Sequence, residues 1–79
     1  MKPEEIVALI KRRNAELIAD DKEGVTQSSI ADKLGLRQSA VNQVVHKNQA
    51  SEKIKVAVYD VVKRYTDEPF EKFWDRKDR

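Results

Sequence analysis

The sequence predicts an all-α domain, a bundle of about five helices without a sheet. Three observations carry this prediction. Apolar residues recur at spacings of three and four in every apolar segment, the period of a helix buried along one face. Residues that start or stop helices stand at the segment ends: Pro3, Thr26 and Ser51 open them, and Gly35 closes one. Strand-like alternation occurs once, at Ile54, Val56 and Val58, and fails at Asp60.

The first helix opens at Pro3, Glu4 and Glu5, since proline suits the first helical position and acids suit the positive end of the macrodipole. Its apolar stripe is Ile6, Leu9, Ile10, Leu17 and Ile18, with Val7 beside it, and Lys11, Arg12 and Arg13 fall on the wetter side. That basic triplet reads as a solvated face, with a flanking phosphate contact as the other use. Asp20 to Gly24 form a polar loop, and Val25 turns back to the core. The stretch Thr26 to His46 then parses as two short helices around a tight corner. Thr26 caps Gln27–Leu34, Gly35 stops it in the left-handed conformation, Leu36 and Arg37 turn, and a second helix starts near Gln38. Ile30, Leu34, Leu36, Val41, Val44 and Val45 are spaced to face one core, with Ala31 small enough for the helices to cross closely. This is the pattern of a helix-turn-helix, whose second helix commonly lies in the DNA major groove.

Lys47 to Ala50 read as a polar connector. Ser51 caps a fourth helix with Ile54, Val58, Val61, Val62 and Tyr65 at helical spacing. The Ile54 to Val62 stretch also suits a strand, which would make a winged variant. Helix is preferred because the three-and-four spacing continues past Asp60. Asp67, Glu68 and Pro69 start a short last helix bearing Phe70, Phe73 and Trp74, which either closes the core over the first helix or offers a dimer surface. The charged tail from Asp75 reads as frayed, and there is no internal repeat or low-complexity segment.

At 79 residues the chain is one domain near the lower limit for a single apolar core. It contains no cysteine, so neither disulfide nor thiolate metal site is available, which fits a reducing cytoplasm. No apolar run is long enough to span a membrane, and the early glutamates do not suit a signal peptide; a soluble cytoplasmic protein is expected. The net charge of +2 is unevenly spread: Thr26 to Tyr65 carry seven basic residues against three acidic ones, while both flanks are slightly acidic. Positive charge therefore gathers on the corner motif and the helix behind it, where phosphate binding needs it. An enzyme is not expected. The chain has one histidine, His46, no glycine-rich phosphate loop, no paired carboxylates in a plausible pocket and no metal-ligand spacing, so neither cofactor nor metal is expected.

The second motif helix supplies the candidate binding residues. On a helical wheel Val41, Val44 and Val45 define its inner side. Ser39, Gln43 and His46 lie roughly opposite, Asn42 on the flank, and Gln38 at the leading end. Amides can pair bidentately with the adenine edge and a serine hydroxyl can reach a donor or an acceptor, so Gln38, Ser39, Asn42 and Gln43 are the candidate base contacts. Thr26, Arg37, His46 and Lys47 are the candidate phosphate contacts, helped by the outward amides and dipole of a helix N-terminus.

The run Gln27, Ala31-Asp32-Lys33, Gly35, Gln38-Ser39 and Val41 resembles the helix-turn-helix of lambda-type phage repressors and Cro-like proteins. The downstream layout, a helix and then a short aromatic segment, is similar to small Ner-type phage regulators. The resemblance implies a lambda repressor-like bundle in which Gln38 reads adenine and Ser39 makes the next base contact. Gln27 would then hold phosphate and brace Gln38. The chain departs from the pattern at Arg37, Asn42 and Gln43, and Met1 and Lys2 are too short for a basic arm. The expected function is a sequence-specific, double-stranded DNA-binding transcription regulator, a repressor of phage or bacterial type, with a homodimer on DNA through Phe70, Phe73 and Trp74. The alternative is an antitoxin-like interaction module that uses the same aromatic segment.

Overall fold

Local chemistry fixes most helix ends, and the core follows from which faces those helices present. The computed structural model describes residues 1–75. Its elements in order are α1 (Pro3–Ala19), α2 (Gln27–Leu34), α3 (Gln38–Lys47), α4 (Glu52–Val62), a 3₁₀ turn at Lys63–Tyr65, and α5 (Phe70–Trp74). No strand occurs among the described residues, so the Ile54 to Val62 stretch is helix and no wing is formed there. Arg76 to Arg79, most of the expected frayed tail, lie outside the described residues.

Pro3 opens α1, and the Lys2 amide donates to the Glu5 carboxylate at 2.9 Å. At the far end Asp21 takes φ 60°, and the Lys22 amide returns to the Leu17 carbonyl at 2.8 Å, a Schellman closure with aspartate where glycine is usual. Thr26 caps α2 reciprocally: its hydroxyl accepts the Ser29 amide at 3.1 Å, and Ser29 Oγ accepts the Thr26 amide at 2.8 Å. Ser51 caps α4 by accepting the Ile54 amide.

The core is apolar throughout the described residues. Ile6 and Ile10 enter from α1, Ile30 and Ala31 from α2, and Val41, Val44 and Val45 from α3. Ile54, Val58 and Val62 come from α4, and Phe73 and Trp74 from α5. Each fully buried valine, isoleucine or phenylalanine contributes about 1.5–3 kcal/mol relative to exposure, which offsets ordering entropy in so short a chain. The aromatic end is held by edge-to-face contacts of Tyr59 with Phe70 at 5.5 Å and with Phe73 at 5.2 Å. The Tyr59 hydroxyl also donates to the Glu68 carbonyl at 2.7 Å, fixing the approach to α5.

Of the two roles expected for the aromatic segment, core closure is the one observed: Phe73 and Trp74 are buried and Phe70 is partly buried, so it is not an open dimer face. Two other expectations change. Ile18, expected in the α1 stripe, is 59% exposed; it lies one residue beyond Leu17, on the face that overhangs the Gly24 loop. Leu36, expected in the core, is exposed as well. The basic triplet of α1 does more than meet solvent. Arg12 and Arg13 pair with Glu16, and Arg12 lies over the Tyr65 ring at 4.4 Å, tying α1 to the 3₁₀ turn.

Candidate nucleic-acid interface

The corner between α2 and α3 is set by Gly35, which adopts φ 70°. The Gly35 amide then donates to the Asp32 carbonyl at 3.1 Å and the Leu36 amide to the Ala31 carbonyl at 2.9 Å, the paired bonds of a Schellman motif. Nothing lies within 4 Å of a side chain built at Gly35, so backbone conformation and not space selects glycine there. In that motif the residue after the glycine usually packs on a side chain five positions earlier. Here that partner is Ala31, whose methyl group covers a leucine only in part, and Leu36 stays 37% exposed.

Arg37 is the extended N-cap of α3 and makes no side-chain capping bond. With Val41, Val44 and Val45 buried, α3 turns the opposite face outward: Gln38, Ser39, Asn42, Gln43 and His46 are exposed at positions that share one side of a helix. Lys47 is exposed on the last turn beside it. No carboxylate stands anywhere in α3, and Arg37, His46 and Lys47 bracket the amide-rich centre. Basic residues in a last turn also suit the negative end of the helix dipole, so His46 and Lys47 have a local reason to be there. Asn48 ends the helix at φ 53°, the left-handed cap within what the sequence offered only as a connector.

Thr26, Gln27 and Gln38 meet around one half-open hollow of about 190 Å³, which Val7, Ile10, Lys11, Asn14 and Val25 also line. The Gln27 carboxamide oxygen is buried and has no hydrogen-bond partner among the described residues. The bracing bond between Gln27 and Gln38 that the resemblance implies is not among the hydrogen bonds of the described residues, although both border the same space. Beside them, the Gln27 and Ser28 amides begin α2 and can find no carbonyl within it, which leaves two donors for an anion.

The sequence reading missed Asn14. Its Oδ1 accepts the Val25 amide at 2.9 Å and so anchors α1 to the residue just before the Thr26 cap. No local pattern marks that asparagine, because its partner is eleven residues away and only the fold brings them together. Among the described residues no group of three or more histidine, cysteine, aspartate or glutamate side chains is placed to hold a metal ion. No helix among them is long and apolar enough to cross a membrane. Comparison of the chain with protein-family models, curated proteins and solved structures finds no match.

Proposed function

We propose that the chain is a sequence-specific double-stranded DNA-binding regulator, a repressor of phage or bacterial type, with α2 and α3 acting as a lambda repressor-like helix-turn-helix. The observation that carries this reading is the outward face of α3: four exposed amide or hydroxyl side chains on one side, with no acid and with cations at both ends. Such a face matches base edges and phosphates together. In this reading Gln38, Ser39, Asn42 and Gln43 meet bases, and Thr26, Gln27, Arg37, His46 and Lys47 meet phosphates. Gln27 and Gln38 border the same hollow, so DNA that positions Gln38 can also bring its amide to the Gln27 oxygen. The antitoxin-like alternative loses its intended surface, because Phe73 and Trp74 are inside.

Selection from random duplex DNA, followed by titration of the selected site and its single-base variants, tests the proposal. Gln38→Ala is expected to lower affinity for the best site by roughly 1–3 kcal/mol and to relax preference at one base pair. Lys47→Ala is expected to weaken selected and random DNA alike and to reduce the salt slope by about one unit. If Gln38→Ala kept the full base preference, α3 would not be the reading helix.

A further inference from the structure

We propose that Leu36 is a specificity-determining residue that covers the C5-methyl group of a thymine next to the base read by Gln38. This rests on the DNA-reading proposal above and adds an apolar contact to its polar set. A single exposed leucine is ordinary on a protein surface, and its position is what gives this one meaning. Ile18 and Val56, the other exposed large apolar side chains among the described residues, belong to α1 and α4 and not to the α2–α3 corner. Leu36 stands on the corner itself, two residues before Gln38, and its neighbours Arg37, Gln38 and Ser39 are all exposed.

Its backbone is fixed on both sides. The Leu36 amide is bonded to the Ala31 carbonyl at 2.9 Å, and the Arg37 carbonyl accepts the Ala40 amide at 3.0 Å. A backbone so constrained has little ordering entropy left to lose on binding, and only the leucine's own rotamers remain to be fixed. Leu36 is not part of the buried cluster, to which the corner contributes Ile30, Ala31, Val41, Val44 and Val45. Of the four bases only thymine carries a methyl group at the major-groove edge, and that methyl group is the one apolar feature a leucine there can select.

The probe is the selected duplex in which each thymine in turn is replaced by deoxyuridine, which deletes the methyl group and leaves every hydrogen-bonding edge intact. Wild-type protein is expected to lose about threefold to fivefold in affinity at one thymine adjoining the Gln38 base, the worth of one buried methyl group. Leu36→Ala is expected to bind the thymine duplex that much more weakly and to show no further loss with deoxyuridine at that position. Leu36→Met, which keeps apolar reach, should retain part of the discrimination. Thermal unfolding checks that each variant is folded. If wild-type affinity is indifferent to deoxyuridine at every position, or if Leu36→Ala remains equally sensitive, Leu36 makes no such contact while base reading by Gln38 stands. If no duplex is selected at all, the DNA-reading proposal fails and this one fails with it.

Discussion

Replacing Gly24 by alanine tests how α1 holds the entrance to the α2–α3 corner. An added Cβ would stand 2.1 Å from Asn14 Oδ1, which is far inside contact distance. The carboxamide must then rotate away, and it is the acceptor that satisfies the Val25 amide at 2.9 Å. Leaving a partly buried amide without its acceptor costs about 1–3 kcal/mol. Gly24 is not among the residues with positive φ, so alanine also restricts the unfolded chain and returns about 0.4–1 kcal/mol. The first effect is the larger, and the two opposing contributions leave a net loss of about 1–2 kcal/mol. In a domain of this size that lowers Tm by roughly 4–8 °C per kcal/mol. Asn14→Ala removes the obstructing group, after which the remaining neighbour, Ile18 Cδ1 at 3.4 Å, is an ordinary contact. Gly24→Ala should therefore be neutral or slightly stabilising in the Asn14→Ala background, a sign reversal that a double-mutant cycle reads directly. Urea unfolding followed by circular dichroism measures all four proteins. Equal losses in both backgrounds, or no loss in the first, would refute the reasoning.

Phe73→Ala removes a fully buried ring, and the usual cost of about 3–5 kcal/mol is as large as the whole stability of about 3–5 kcal/mol open to an unstapled domain this small; its amide NMR spectrum should collapse at room temperature, whereas Phe70→Ala, partly exposed, should stay dispersed. Partial burial first, then the Glu16 carboxylate to which it donates, raise the Tyr65 hydroxyl above its ordinary value of 10.0, with Arg13 opposing. A raised folded-state pKa means that the bond stabilises fully below about pH 10 and is lost as pH rises through the folded value, so the wild-type advantage over Tyr65→Phe in urea midpoint should vanish only on the alkaline side. For assembly, sedimentation should find one chain free in solution and two on a selected duplex whose half-sites lie about one helical turn, roughly 34 Å, apart; one chain on a site without a repeat would overturn this.

The parts of the fold that were legible are those decided within a few residues. Thr26 and Ser51 cap because a hydroxyl reaches an amide three positions on, and Gly35 turns because only glycine enters that backbone region freely. Leu36 and Ile18 misled because the apolar pattern marks which residues could be buried and says nothing of what is available to cover them. Leu36 met Ala31, and Ile18 met the loop at Gly24. The aromatic segment was ambiguous for a related reason: Phe73 and Trp74 suit a core or an interface equally well until Tyr59 supplies the edge that receives Phe73.

The same division runs through the candidate interface, and it bears on how such a corner can recognise DNA. The identities of Gln38, Ser39, Asn42 and Gln43 and their common exposure follow from helical period and the buried valines opposite. What periodicity could not supply is the state of Gln27, whose carboxamide oxygen is enclosed by the fold yet left without a donor among the described residues. The hollow that Gln38 also borders is half-open, so a donor entering it, water or the Gln38 amide, can supply that bond. Under the proposed DNA-reading function, a duplex that fixes Gln38 supplies it through the same side chain that would read a base. Loss of Gln27 should therefore weaken binding less on random than on selected DNA, since random sequence does not hold Gln38 in place. Gln27→Ala compared with Gln38→Ala and the double variant measures this: coupling on the selected site and none on random duplex is the expected result, and additive losses on both would reduce Gln27 to a phosphate contact.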